Sequence, residues 1–222
     1  ETYNRRKHLS TDLKVTCSEI PLTNELIDKH FKTINQISSK INVNTNDADI
    51  YFNRALEFAL VQDFENAIED LNKAIALRSD FMLAYFTRAN IRYKYIDYMK
   101  NSLRETGLET LELKDRYAAF EKEKKFDVEL VMRDLEKVSD LQPDFSFAYY
   151  NKANILTSQQ DFRTAISNYS KAIEIDRDFA EAYFNRGLTY LYIGEDAKGL
   201  ADLSKAGELG IYQAYNLIQR FK

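Results

Sequence analysis

The sequence predicts an all-α fold, a solenoid of antiparallel helix hairpins with a capping helix at each end. Three observations carry that prediction. Tyr51 recurs 34 residues on as Tyr85, and Tyr149 recurs 34 residues on as Tyr183. Within each unit the apolar residues fall at three- and four-residue steps, the spacing of one helix face and not of a strand. Six Gly and two Pro leave few helix breakers in 222 residues, while 15 Tyr and 14 Phe supply rings to pack between helices.

At the amino end, residues 1–21 read as an extended arm or the remnant of a preceding domain, since Leu13, Val15 and Cys17 alternate. Residues 22–47 read as a capping helix and polar linker: Leu26, His30, Ile34, Ile37 and Ile41 make one stripe, with Thr23 or Asn24 as cap. The solenoid spans 48–210, as repeats 48–81, 82–145, 146–179 and 180–210. In the first repeat Tyr51, Ala55 and Phe58 share one face of a first helix, and Ala67, Leu71 and Ala74 share one face of a second. Between them Gln62-Asp63-Phe64 is a short turn, repeated as Gln160-Asp161-Phe162. The corresponding small positions are Ala55, Ala89, Ala153 and Gly187 on first helices, and Ala67, Val131, Ala165 and Gly199 on second helices. Small residues belong where two helix backbones cross closely. The row Leu71, Leu135, Tyr169 and Leu203 fills the bulky position, and Phe81, Phe145 and Phe179 join one repeat to the next. Residues 211–222 close the chain as a second capping helix.

The series Tyr183-x2-Arg186-Gly187-x2-Tyr190, then Gly199, Leu203 and Ala206, resembles the tetratricopeptide repeat family. Tyr stands where the motif has Trp in all four repeats, and the Pro that ends a repeat is present only as Pro143. The resemblance implies a right-handed superhelical solenoid whose concave wall is built from the first helices.

Two departures carry information. From Tyr85 to Val131 is 46 residues, where Tyr51 to Ala67 needs only 16. The insertion, 97–126, holds one Gly, Gly107, and no Pro, so it is expected to lengthen both helices of the second repeat into a hairpin projecting roughly 20 Å. The second departure is the row Arg54, Arg88, Lys152 and Arg186. Asp70, Asp134 and Asp202 sit at one matching place on the second helices, and Asn168 stands opposite the single Lys. That covariation predicts pairs locking each hairpin, not an anion site.

The composition excludes much chemistry. Lys+Arg 31 against Asp+Glu 35 gives −4, with no basic excess for nucleic acid. A mean hydropathy of −0.49 leaves no transmembrane segment. Cys17, His8 and His30 are too few for a metal site or a nucleophile with its base. Gly194 and Gly199 have phosphate-loop spacing, but Leu200 stands where Lys is required. The chain is therefore expected to be no enzyme, with no cofactor and no metal.

What remains is surface. The expected peptide-binding groove is Phe52, Asn53 and Leu56 in the first repeat, Phe86, Asn90 and Tyr93 in the second, Tyr150, Asn151 and Asn154 in the third, and Phe184, Asn185, Leu188 and Tyr192 in the fourth. Rings supply contact area at low entropic cost, and Asn both donates to and accepts from a peptide backbone. Some members of the family grip a peptide's terminal carboxylate with Lys or Arg; here Phe86, Tyr150 and Glu181 stand near those places, so that mode is not expected. The predicted function is a non-catalytic scaffold for a protein or peptide partner. The alternatives are an assembly subunit, self-associating through the 97–126 hairpin or the N-terminal arm, and a regulatory domain of a larger protein. A start on Glu1 reads as a processed fragment whose targeting segment is absent, which leaves the compartment, cytoplasmic or other, open.

Overall fold

Helices account for nearly all the regular backbone because the turns between them are specified residue by residue. The computed structural model describes residues 23–41, 46–105 and 111–221. Among them are ten helices and no strand: α1 (Asn24–Ile41), α2 (Ala48–Leu60), α3 (Phe64–Leu77), α4 (Met82–Glu105), α5 (Leu111–Leu141), α6 (Ser146–Ser158), α7 (Phe162–Ile175), α8 (Ala180–Ile193), α9 (Asp196–Glu208) and α10 (Gln213–Phe221). They divide into two compact units, the first ending at Leu141 and the second beginning at Gln142. The arm, with His8 and Cys17, and the turn around Gly107 lie outside the described residues.

Each residue of the Gln-Asp-Phe turn has its own task. Gln62 and Gln160 adopt left-handed backbone, φ 63° and 65°. Asp63 N donates to the Phe58 carbonyl and Gln62 N to the Ala59 carbonyl, so two end carbonyls of α2 are satisfied, and Asp161 and Gln160 repeat the pattern on Leu156 and Thr157. The Asp side chains then accept from Asn66 N and Thr164 N, capping α3 and α7. Phe64 and Phe162 open those helices. Gly194, φ 90°, holds the same left-handed place in the fourth repeat. A side chain in that conformation costs roughly 1–2 kcal/mol, partly offset by the entropy a glycine loses. Gln160→Gly is therefore expected to stabilise the second unit by up to about 1 kcal/mol. The midpoint of urea denaturation checks this, and an unchanged midpoint would show that the Gln side chain compensates.

In the first unit, α2 and α3 pack through Ala55 and Ala67, with Leu71 and Ala74 beside them, all solvent-inaccessible. Thr23 caps α1 by accepting from Leu26 N at 3.3 Å, and α1 covers α2 through Ile37 and the buried Ile41. His30 meets Glu57 at 2.8 Å, a half-buried polar contact and not a ligand cluster. The second repeat's two helices are long, 24 residues in α4 and 31 in α5, against 13 and 14 in α2 and α3. They pack with Ala89, Ile96, Val131, Leu135 and Val138 buried.

In the second unit, Ala153 and Ala165 repeat the close crossing between α6 and α7. Between α8 and α9 the crossing is closer still. A Cβ on Gly199 would lie 2.8 Å from the Gly187 carbonyl oxygen and 2.7 Å from Leu191, so Gly at both places and the buried Leu191 form one packing solution. Gly194 and Gly199 thus have structural tasks in a turn and a crossing. α10 packs on α9, where the Tyr215 ring occupies the space a side chain at Gly207 would need.

The predicted Arg–Asp pairs all form, and each is bidentate. Arg54 donates to both oxygens of Asp70 at 2.6 and 2.7 Å, Arg88 to Asp134 at 2.9 and 2.6 Å, and Arg186 to Asp202 at 2.7 and 2.9 Å. Each Asp is buried and each Arg nearly so. A third N–H reaches back to the preceding helix, to Ser38, Asn72 and Ser170, each 16 residues before its Arg. The guanidiniums lie over Tyr51 and Phe58, over Tyr85, and over Tyr183 and Tyr190, which explains those rings. In the third repeat Lys152 lies over the Tyr149 ring at 4.6 Å, and Asn168 donates to the Thr164 carbonyl.

Candidate functional site

First helices present the expected groove residues, six in the first unit and seven in the second. In the first unit Asn53, Leu56 and Asn90 are exposed, and Phe86 and Tyr93 are half-buried. Phe52 is half-buried too, with its ring 4.9 Å from that of Phe81. Leu60, one turn beyond Leu56, adds to the exposed apolar surface of α2.

The second unit is organised differently. Tyr192 is exposed against Phe162, and Asn151, Phe184 and Leu188 are half-buried. Tyr150, Asn154 and Asn185 are buried, at 6%, 8% and 5% exposure. Tyr150 is thus a core ring and not an open groove residue. It stacks on Phe179 at 4.8 Å and on Tyr169 at 6.0 Å.

The three buried residues are joined by hydrogen bonds across helices. Tyr169, on α7, donates its hydroxyl to Asn154 Oδ1 at 2.7 Å. Asn185, on α8, donates from Nδ2 to the same oxygen at 3.1 Å and to the Tyr150 hydroxyl at 2.9 Å. Thr157 approaches the Tyr169 hydroxyl at 3.4 Å. The amide of Asn154 lies beside the Tyr150 hydroxyl, but its Nδ2 is buried without a hydrogen-bond partner. Leaving such a donor unpaired costs roughly 1–3 kcal/mol, which the two bonds accepted by Asn154 Oδ1 offset in part.

Tyr169 is the residue that sequence reasoning passed over. The row Leu71, Leu135, Tyr169, Leu203 already shows it as the one departure at the bulky position. The departure puts a hydroxyl where three repeats have a methyl, and that hydroxyl orients Asn154. Exposed Phe147, on the first turn of α6, was also missed. It stacks on Phe145 and Phe179 at 5.6 and 5.0 Å.

Burial holds the Tyr150 phenol above its ordinary range, despite the hydrogen bond from Asn185 and the adjacent Asn154 amide, which favour the phenolate. The unfolded chain loses this proton near pH 10 while the folded one keeps it. The stabilisation is therefore complete below pH 10 and is lost as pH rises through the folded value. Between pH 9.5 and 11 Tyr150→Phe is expected to show a shallower fall in stability than the parent chain, by up to about 1.4 kcal/mol per pH unit. Urea midpoints across that range test it, and parallel curves would count against it.

Among the described residues no three His, Cys, Asp or Glu gather in a way that could hold a metal. No described helix is long and apolar enough to cross a membrane.

Comparison with known proteins matches this architecture. Residues 48–81 match a family model described as tetratricopeptide repeat, and residues 153–194 match one described as TPR repeat. The chain thus contains tetratricopeptide repeats. Hsp70-Hsp90 organizing protein 3 of Arabidopsis thaliana is 29% identical over 174 residues, covering 73% of this chain and 31% of that protein. Mitochondrial import receptor subunit TOM70 of Rattus norvegicus is 28% identical over 164 residues, covering 73% and 23%. The chain thus spans less than a third of the length of these relatives. Among solved structures, the C-terminal part of a TPR repeat-containing protein from Cytophaga hutchinsonii superposes with a TM-score of 0.66 at 16% identity, covering 88% of this chain and 67% of the other. That likeness concerns the tetratricopeptide fold alone.

Proposed function

We propose that this chain of tetratricopeptide repeats is a non-catalytic module that docks a segment of a partner protein on its first-helix face. The reading rests on one observation above others: the first helices leave apolar surface open, with Leu56 and Leu60 exposed on α2 of the first unit and Tyr192 on α8 of the second. Exposed Tyr192 and half-buried Phe184 and Leu188 on α8 supply apolar contact on the same unit. The organizer of Hsp70 and Hsp90 and the import receptor subunit among the relatives make a protein partner the natural class.

Peptide display against the intact chain tests this. Selected peptides are expected to lose at least tenfold in affinity against Leu188→Ala/Tyr192→Ala, with the helical circular dichroism unchanged. Equal binding by that variant would sink the groove reading. Tyr150 is unsuitable for this purpose, since removing a core ring tests stability instead.

The length of α4 and α5 favours a second role, assembly through 97–126. It predicts a concentration-dependent oligomer in light scattering that disappears on deleting 100–122.

A further inference from the structure

The helices at the two ends occupy places that the complete repeats identify. Arg88 on α4 reaches Asn72 on α3 at 2.7 Å, and Arg186 on α8 reaches Ser170 on α7 at 2.9 Å. Arg54 on α2 makes the same 16-residue reach to Ser38 on α1, at 3.0 Å. Ser38 and Ser170 share a second bond, each donating at 2.7 Å to the carbonyl of an Ile four residues earlier. α1 therefore takes the place of a second helix, with no first helix packed as its hairpin partner among the described residues.

α10 takes the place of a first helix. Ala84, Ala148 and Ala182 are solvent-inaccessible, and their amides donate to the carbonyls of Phe81, Phe145 and Phe179. Ala214 is equally inaccessible, and its amide donates to the Ile211 carbonyl at 3.0 Å. Tyr215 follows it as Tyr85, Tyr149 and Tyr183 follow their alanines. α10 packs on α9 as α8 packs on α7, and among the described residues no second helix packs on its other side.

Both helices are open on the face that a hairpin partner covers. Ile37, 34 residues before the inaccessible Leu71, is only half-buried. On α10 Tyr215 is 41% exposed, and Gln219, in line with the buried Ala89 and Ala153, is exposed. The first unit thus presents a second helix without its first, and the second unit a first helix without its second. They are complementary halves of one hairpin, and another copy of the chain holds the half that each lacks.

We propose that α10 of one copy pairs with α1 of a second copy, completing a repeat between them, so that the chain associates head to tail. In the register of α2 against α3, Gln219 crosses Thr33 where Ala55 crosses Ala67. Lys40 approaches the Tyr215 ring, much as Lys73 lies over Tyr51 at 5.9 Å. Thr33 and Gln219 are larger than the residues of an internal crossing, so the two helices stand farther apart and the contact is weak and reversible. Because the two surfaces differ, each pairing leaves one of each kind open for the next copy. The association depends neither on peptide docking nor on 97–126.

Sedimentation velocity over a concentration series reads it in the intact chain. The weight-average mass of the parent is expected to rise with concentration. Thr33→Glu/Gln219→Glu sets like charges at the crossing and should weaken association at least about tenfold. Thr33→Glu/Gln219→Lys sets opposite charges there and should restore it to the parent's strength or beyond. Neither position lies in the core, so thermal melts of both variants should stay close to the parent. Deleting 100–122 should leave the association unchanged, and display-selected peptides should bind both charge variants as they bind the parent. Amide hydrogen exchange of the parent needs no variant: protection in α1 and α10 should rise with concentration.

A parent that stays monomeric throughout the series overturns the proposal. So does association that is the same with like and opposite charges, that is lost on deleting 100–122, or that leaves exchange in α1 and α10 unchanged.

Discussion

Asp134→Ala is expected to destabilise the first unit by about 4 kcal/mol, more than Asp70→Ala destabilises the same unit. All three Asp residues of the locks are buried under a bidentate Arg, but Asp134 carries a second cation. Arg92 Nη1 reaches Asp134 Oδ2 at 3.0 Å, in addition to the two bonds from Arg88. Burial pulls the Arg92 guanidinium below its usual value, and the neighbouring Arg88 pulls the same way. Both side chains are 14% exposed. Removing the carboxylate leaves two cations close together in a poorly solvated place. Asp70→Ala strands only Arg54, with an expected cost of about 3 kcal/mol. Urea denaturation gives the magnitudes. Amide hydrogen exchange in α4 and α5 shows where the loss falls, which matters in a repeat array that need not unfold in one step. Equal costs for the two variants would show that Arg92 adds nothing. Replacing Asp134, Arg88 and Arg92 together by apolar residues is expected to recover most of the loss, because it removes the stranded charges.

Tyr169→Leu is expected to leave the fold intact and weaken binding of display-selected peptides about tenfold. Leu is the residue of the other three repeats at this position, so the hairpin has a known way to pack it. The stability cost should be about 1–2 kcal/mol, from one lost hydrogen bond and a smaller side chain. The functional cost is larger because the network tying Asn154 on α6 to Asn185 on α8, the helix that carries the docking residues, loses the hydroxyl that anchors it. Tyr169→Phe separates the contributions: it keeps the ring and removes the hydroxyl. Retained affinity in that variant would show that the hydroxyl does not position α8 for a ligand. Tyr169→Ala, which empties a fully buried site, is expected to cost about 3–5 kcal/mol and reports on packing alone.

The repeat register, the hairpin turns and the Arg–Asp pairing were legible because each recurs at a fixed interval. Arg54 and Asp70, like Arg186 and Asp202, are 16 residues apart, and the insertion moves Asp134 to 46 residues from Arg88 without breaking the pair. The covariation of Lys152 with Asn168 was also visible, but not its consequence, that the ammonium settles over Tyr149. The wall itself was read with less success. Asn53 and Leu56 lie exposed as their helix positions imply, whereas Tyr150, Asn154 and Asn185 occupy equivalent faces and are buried.

Helix periodicity, carried by the sequence alone, determined which residues share a face, where a backbone must turn and which small residues let two helices cross. Those features depend on neighbours three, four or 34 positions away, so a linear pattern contains them. Only the tertiary structure decided which groove residues are open and which are closed. That depends on what packs across the helix: the Tyr169 hydroxyl on Asn154, Asn185 on Tyr150, and Phe179 stacked between Tyr150 and Phe147. Burial is set by the volume and polarity of residues on other helices, and one Tyr in place of Leu was enough to turn an ordinary hairpin position into a buried polar network.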